Sequence, residues 1–373
     1  MPEFPRAARR PAAAFLTAFL AVFFAASLSG CETLSYYSQA VGGQLALTTK
    51  AMPIERLVED PATPADLRAK LQLAREIRDF ATRELGLPDD GSYRQYADLG
   101  RPYVVWNLFV TPEFSTKAVE SCFPVTGCVT YRGYFAEADA QAYAAKKRAE
   151  GFDVQVSGIP AYSTLGWFDD PLLNTFIRYP EAELARLVFH EMAHHVVYAK
   201  GDTVFNESFA VAVERAGVRR WLAERKVTGD LAAFFKGRER QREFIEMIEA
   251  AKVRMDRIYD QNLPIEGLRA AKRAGFDELR KDYEALKARW GGFSGYDRIL
   301  GKEPGNALLA SITAYSKFVP GFERLLEVEG NNLPRFYAAV KELARLPKEE
   351  RCRKLMDGMP GAAPSSEACL PRK

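Results

Sequence analysis

Histidine is the rarest residue of this sequence, with only three copies in 373 residues. They are His190, His194 and His195, so one run of six residues contains all of them. No site elsewhere in the chain can use an imidazole as a base or as a metal ligand. If these histidines bind a metal ion, any further protein ligand must be a carboxylate, and a further hydrogen-bond donor to the substrate must also be another residue type.

A marked excess of charge is also missing. The 52 Lys and Arg residues nearly balance the 49 Asp and Glu residues, which leaves a formal net charge of +3. Proteins that bind nucleic acid through its phosphates concentrate basic side chains on one face, and no segment here does so. The basic residues between 230 and 347 follow a helical pattern that is typical of solvated helix faces. We therefore expect no nucleic-acid partner.

Long apolar runs are confined to the N-terminus. Three arginines in the first ten residues precede an apolar stretch at about 12–26, which is the pattern of a secretory signal. The following Leu28-Ser29-Gly30-Cys31 resembles a bacterial lipobox, in which the signal is removed and the cysteine is lipidated. An ordinary signal peptide or a short membrane anchor is the alternative. We predict a signal peptide over residues 1–30 and lipidation of Cys31.

The residue after this cysteine predicts a location. Glu32 stands there rather than Asp, which by similarity to the lipoproteins of Gram-negative bacteria implies an outer-membrane anchor that faces the periplasm. We thus expect the protein in the cell envelope, attached to the membrane by lipid.

Cysteine is scarce as well, with five in the chain. Apart from Cys31, they are Cys122, Cys128, Cys352 and Cys369, whose spacings match no zinc-ribbon pattern. An exported protein can form disulfides. We expect the two local bridges Cys122–Cys128 and Cys352–Cys369, although spacing alone leaves the connectivity open.

The histidines form an H-E-x-x-H motif. On a helix, His190 and His194 lie one turn apart on the same face, so they can chelate one zinc ion. Glu191 beside the first ligand can reach the water on the metal. Two surface or core histidines are the alternative, but apolar residues precede the motif and a Glu-bearing helix follows it. His195 points about 100° away from His194, which predicts a structural or rim position.

A catalytic zinc ion with two histidine ligands needs a third protein ligand. The run that begins Asn206-Glu207-Ser208-Phe209-Ala210 resembles the N-E-G-F-A-x-x-x-E segment of the aminopeptidase N family, whose first Glu is that ligand. The resemblance implies that Glu207 binds the metal. It also implies that Asn206 and Glu214 support the site from behind the ligands, with Glu214 orienting a histidine.

The spacing points to a different carboxylate. In aminopeptidase N and thermolysin-like enzymes about 20 residues separate the second His from the ligand Glu. Here Glu207 follows His194 by 13 residues, whereas Glu214 follows it by 20. We predict Glu207, because the local motif is more specific than a count that a loop deletion can change, and Glu214 stays the alternative.

The remaining catalytic and substrate-binding residues are assigned by role. Glu191 would act as general base, and a tyrosine would stabilise the oxyanion, with Tyr315 as candidate and Tyr162 as second choice. A packed helix tyrosine is the alternative reading of Tyr315. The extended segment 161–171 precedes the metal-binding helix, where zinc peptidases have the strand at the edge of the cleft. An ordinary buried strand and turn is the alternative for this segment. The residues predicted to contact substrate are Tyr162, Thr164, Leu165 and Gly166.

Over most of its mature length the chain resembles the bacterial putative zinc aminopeptidases, which are predicted lipoproteins of proteobacteria. The following segments carry the resemblance, together with the two zinc segments: 105–107, 122–128, 131–135, 161–171 and 306–322. It implies a zinc metallopeptidase that acts on peptides or proteins. The aminopeptidase N family holds the substrate amine with the Glu of G-x-M-E-N, which the stretch 164–168 lacks, so Asp169 or Asp170 would have to replace it.

Three functions therefore stay open: an aminopeptidase, an endopeptidase or amidase of the envelope, and a scaffold with structural zinc. The predicted fold is α+β and zincin-like, with a small mixed sheet, an active-site helix and a largely helical C-terminal half. Its predicted parts are an anchor or spacer (31–60), the metallopeptidase domain (61–350, with the sheet and zinc-binding helices up to 225) and a tail (351–373). The oligomeric state stays open.

The predicted elements follow from local signals. Helices are expected from Pro64 to Leu85 and from Pro180 to about Lys200, where Gly201 would end the second one. Two further long helices should break at Pro264. Strands are expected over 103–110, around 129–135 and over 153–156.

Overall fold

The computed structural model describes residues 36–123, 127–161, 164, 168–226, 229–301, 303–313 and 318–357. The chain divides into a unit that ends at Thr49 and a unit that begins at Lys50. Helix α1 (36–50) makes up the described part of the first unit and ends on the first residue of the second.

The second unit contains eight short strands and twelve helices in its described part. In chain order they are β1 (Met52–Pro53), α2 (Ile54–Glu59), α3 (Ala65–Leu85), β2 (Gln95–Ala97), β3 (Val105–Thr111), β4 (Ser121–Phe123), β5 (Gly127–Val129), β6 (Arg132–Tyr134), α4 (Glu137–Ala149), β7 (Asp153–Ile159), β8 (Leu172–Leu173), α5 (Glu181–Ala193), α6 (Thr203–Arg225), α7 (Gly229–Tyr259), α8 (Ile265–Arg289), α9 (Asp297–Leu300), α10 (Asn306–Thr313), α11 (Val319–Val328), α12 (Leu333–Arg345) and α13 (Lys348–Met356). The α+β class is confirmed.

Local signals explain where α3 begins and ends. Pro64 occupies its N-cap and Gly86 its C-cap, where a φ of 65° places the glycine in the left-handed region. Its buried face includes Leu71, Ile77 and Phe80. Phe80 packs edge-on against Trp221 of α6 and near Phe189 of α5. The predicted helix is thus confirmed, and it packs against the two helices that carry the motifs of the site.

The strands form three small sheets rather than the one mixed sheet that we predicted. In the first, β3 lies between β6 and β7 and is antiparallel to both. The second joins β1, β2 and β8, and it alone is mixed, because β2 is antiparallel to β1 and parallel to β8. The third is the β4–β5 hairpin. The β2–β8 pair thus joins two stretches that lie on either side of the β3–β7 segment in sequence.

The β4–β5 hairpin carries a disulfide between Cys122 and Cys128. Its Gly127 lies against the turn before α6: a Cβ added there would be 2.9 Å from Lys200 Cγ and 3.1 Å from Gly201 N. Cys352 is also disulfide-bonded, and its expected partner Cys369 lies outside the described residues.

The helical half surrounds its own apolar cluster, and the C-terminal helices pack on α6. Pro264 is the N-cap of α8, as predicted, and α7 and α8 enclose Phe244, Ile248 and Leu279. On α6, Phe209 contacts Phe322 of α11 and Phe336 of α12. A large part of the C-terminal half therefore supports the helix that bears Glu207.

A buried ion pair adds to this support. Arg351 of α13 donates to Asp202 Oδ2 at 2.9 Å, and the two side chains are 8% and 2% exposed. Asp202 is also the N-cap of α6 and accepts from the Phe205 N–H. Within the described residues, no helix is both long enough and apolar enough to cross a membrane.

Candidate metal centre

The site lies where α5 ends and α6 begins. His190 is in the last turn of α5, His194 is its C-cap, and Glu207 is in the second turn of α6. Glu207 Oε2 is 3.3 Å from His190 Nε2 and 3.8 Å from His194 Nε2. A tetrahedral ion with bonds of about 2 Å separates its donor atoms by roughly 3.4 Å. His190, His194 and Glu207 can therefore hold one metal ion.

The donor chemistry of the site can be compared with that of known metal sites. The His194 side chain is 7% exposed and its Nε2 faces Glu207, whereas Nδ1, on the other side of the ring, has no hydrogen-bond partner among the described residues. Two imidazoles and a carboxylate are one of the donor sets that hold zinc at catalytic sites. The residues present thus fit a metal ion of this kind.

Helix α5 is shorter than we predicted. It ends at Ala193 rather than near Lys200, and the chain continues in a turn with hydrogen bonds from His195 N to Met192 O and from Val196 N to Ala193 O. The β-branched pair at 196–197 has a low helix propensity. Because the helix ends here, the nine residues 194–202 connect α5 to α6 and let the chain turn back, and Glu207 comes close to the histidines.

Asn206 bonds to the backbone of the segment between α5 and α6 rather than to the histidines. Its side-chain amide accepts from the Ala199 N–H at 2.7 Å and donates to the Ala199 carbonyl at 2.9 Å. The predicted support of the site by Asn206 therefore acts through the backbone that precedes Glu207.

Glu214 lies behind the ligands and outside the group of donor atoms. Its Oε2 is 2.9 Å from His190 Nδ1, and Arg186 Nη1 donates to the same oxygen at 2.8 Å. The structure thus groups Glu207, not Glu214, with the histidines. Arg186 was missed in the sequence, although it precedes His190 by one helical turn and so shares its face.

A comparison with known families gives one match. Residues 35–355 match the model of a family described as "Putative aminopeptidase". The chain belongs to this family. No curated protein and no solved structure matches the chain significantly. The matched residues include both helices that carry the candidate ligands.

Charges at the metal centre of this family member are strongly coupled. Burial by itself lowers the pKa of His190, but hydrogen bonds to Glu207 and Glu214 outweigh it and raise the pKa to about 10. Burial raises the pKa of Glu214, yet the charge of Arg186 and the bond to His190 lower it to about 2. For Glu207, the two histidines outweigh burial and lower the pKa. Both carboxylates are therefore anions at neutral pH, whereas His190 carries a proton that it must release when a metal ion binds.

Glu191 and His194 respond mainly to burial. Glu191 is 7% exposed. Burial raises the pKa of its carboxyl to about 7, although the charge of His190 acts to lower it. Burial lowers the pKa of His194 to about 4. His194 is thus neutral at physiological pH, the form in which imidazole binds metals, and Glu191 is poised to exchange a proton.

His195 has a structural position, as its direction on the helix predicted. Its side chain is 3% exposed and lies between two carboxylates, with Nδ1 2.9 Å from Asp90 Oδ2 and Nε2 3.6 Å from Asp170 Oδ2. Asp170 Oδ2 also accepts from the Thr164 N–H at 2.9 Å. These contacts join three separate stretches of the chain beside the metal centre. No sequence signal marked Asp90.

The predicted cleft edge is only partly described. Tyr162, Leu165 and Gly166 lie outside the described residues, as does Tyr315, the candidate oxyanion donor. The described residues of 161–171 are not in a strand, and Leu172–Leu173 just beyond them are. The role of this segment at the cleft edge stays a prediction.

Thr164 bonds to Phe168. Its hydroxyl accepts from the Phe168 N–H at 3.2 Å and lies 3.1 Å from the Phe168 carbonyl oxygen. Asp170 is engaged by Thr164 and His195, and the Asp169 carboxylate lies against Gly91.

Proposed function

We propose that this protein is a zinc-dependent metallopeptidase of the bacterial cell envelope and, more specifically, an aminopeptidase. The site of His190, His194 and Glu207 supports zinc, because it offers two imidazoles and a carboxylate. Zinc bound there supplies Lewis acidity toward water and toward the substrate carbonyl.

Glu191 carries the proposal. The residue is next to a ligand and only 7% exposed, and no hydrogen bond or ion pair joins its carboxylate to a side chain in the described part of the chain. Its oxygens are not among the fully buried atoms that lack a partner, so they reach solvent beside the ligands. A carboxylate with a raised pKa and no contact that holds the fold is better accounted for by a functional role than by a structural one. We assign Glu191 as the group that takes a proton from the attacking water and returns it to the leaving amine.

The number of ligands argues against a scaffold with structural zinc. Structural zinc sites are closed by four protein ligands, whereas catalytic sites keep one position open. In the described part of the chain the donor group has three members. An envelope endopeptidase or amidase would use the same group, so the second candidate differs from the first only in its substrate.

Peptides with free and with acetylated N-termini test both whether the protein hydrolyses peptides and whether it requires a free N-terminus. We expect the zinc-loaded protein to hydrolyse the free peptides, to lose this activity with a chelator, and to regain it with zinc, because the metal supplies the Lewis acid. Acetylated peptides should resist hydrolysis, as an aminopeptidase binds the free amine. The measurement is product formation by mass spectrometry. Cleavage of acetylated peptides would favour the endopeptidase. If neither kind of peptide is hydrolysed, the proposal that the protein is a peptidase is refuted.

We further propose that Cys31 anchors the protein by lipid to the outer membrane, facing the periplasm. The N-terminal sequence and the Cys122–Cys128 disulfide, which needs an oxidising compartment, support this location. In cell fractionation, the variant Cys31→Ser is expected to disappear from the membrane fraction as mature protein. It should appear instead as soluble protein or as uncleaved precursor. Cys352→Ser is the control and should stay in the membrane fraction. Retention of the Cys31 variant as mature protein in the membrane would contradict the proposal.

A further inference from the structure

Charges of alternating sign extend from the metal centre toward the helical half of the molecule. Glu214 Oε2 bonds both His190 Nδ1 and Arg186 Nη1, at 2.9 and 2.8 Å. Arg186 Nε then donates to Glu183 Oε2 at 2.8 Å, and Arg238 Nη2 donates to Glu183 Oε1 at 2.7 Å. His190, Glu214, Arg186, Glu183 and Arg238 thus form one connected series, which we call the charge series.

The geometry of Arg186 restricts its two neighbours. Its planar guanidinium uses different nitrogens for the two carboxylates, so it fixes the direction of Glu214 relative to Glu183. The side chains of Glu214 and Arg186 are 5% and 20% exposed, so water screens their attraction only weakly. Without Arg186, the Glu214 carboxylate would keep one charged partner fewer and could rotate away from His190.

The far end of the charge series belongs to another part of the fold. Glu183, Arg186 and His190 are on α5 and Glu214 is on α6, but Arg238 is on α7. Arg238 reaches Glu183 across 55 positions of sequence, with both side chains 26% exposed. The helical half therefore makes an ionic contact with the residues that orient a metal ligand.

We propose that Arg186 is a positioning residue for the metal ligand His190, and that Arg238 extends this role to α7. Arg186 holds Glu214 Oε2 in place, and Glu214 holds the His190 ring with Nε2 toward Glu207. Residues that orient a metal ligand in this way change metal affinity about 10–100-fold when they are replaced. The inference rests on the proposed function only in that a metal ion binds at this site.

Zinc affinity, measured by competition with a chromophoric chelator on the full mature chain, tests the role of each arginine. Arg186→Gln is expected to raise the Kd for zinc about 10–100-fold. Arg186→Lys should be less affected, because an ammonium keeps the charge and one of the two bonds. Arg238→Gln, one step further from His190, should raise the Kd less than Arg186→Gln. Arg242→Gln is the control: it removes an exposed pair with Glu246 on the same helix, at 2.7 Å, and should leave the Kd unchanged.

Cobalt provides a readout that a loss of stability alone would not change. The visible spectrum of the cobalt-loaded protein reports ligand geometry, and we expect it to differ between the wild type and Arg186→Gln at full loading. An unchanged or lower zinc Kd in Arg186→Gln would overturn the inference. If that variant does not fold, Arg238→Gln decides, and a Kd equal to that of Arg242→Gln would overturn it. A wild-type protein that binds no zinc would instead refute the proposed function.

Discussion

The Glu207→Ala variant is expected to lose its zinc on dialysis, whereas Glu214→Ala keeps zinc with a Kd about 10–100-fold higher than that of the wild type. The reason is the position of the two carboxylates. Glu207 Oε2 is near Nε2 of both histidines, but Glu214 Oε2 is on Nδ1 of His190, the opposite side of that ring. Removal of Glu207 leaves two protein ligands, too few for a stable catalytic site.

Metal analysis after dialysis against metal-free buffer is the measurement. Glu224→Ala provides the control, because Glu224 is on the same helix and forms only an exposed pair with Arg83 at 3.1 Å. Circular dichroism should show that all three variants keep their helical content. Loss of zinc in Glu214→Ala with retention in Glu207→Ala would mean that the ligand assignment is wrong and that the spacing was the better guide.

Local sequence was enough to find the centre of the site. The spacing of His190 and His194 places them on one helical face, and the resemblance of the run from Asn206 to the aminopeptidase N segment implied Glu207 as the third member. The conflict over Glu214 came from the spacing count. We expected α5 to continue to about Lys200, but it ends at Ala193, and the turn of residues 194–202 brings the first glutamate of α6 to the histidines.

Contacts between distant segments were not predictable from local pattern. A helical pattern shows which face Arg186 occupies, but not that Glu214 and Glu183 receive its two bonds. Arg238 looked like one of many basic residues on solvated helices, and only packing of α7 near α5 shows its partner. Likewise, β2 and β8 pair across the intervening β3–β7 segment, so runs of strand-forming residues could not reveal the number of sheets.

The Glu191→Gln variant is expected to bind zinc like the wild type but to hydrolyse peptides at least about 10²–10⁴-fold more slowly. Glutamine keeps the size and polarity of the side chain and cannot accept the proton of the attacking water. His190, His194 and Glu207 are unchanged, so the metal site should stay intact. The measurement is kcat/KM on a free-N-terminus peptide, with zinc content determined on the same sample.

Stability separates this role from a structural one. Burial raises the pKa of Glu191 to about 7 in the folded protein, above its ordinary value of 4.5. An acid whose pKa is raised by folding destabilises the folded state once pH exceeds its ordinary value, because the unfolded chain ionises it more easily. Removal of this carboxylate should therefore leave the free energy of unfolding of the metal-free protein unchanged or higher at pH 7, as measured by urea denaturation. A residue that served the fold would lower it. Glu191→Gln that is both fully active and less stable would assign the carboxylate to structure and remove the main support for a peptidase.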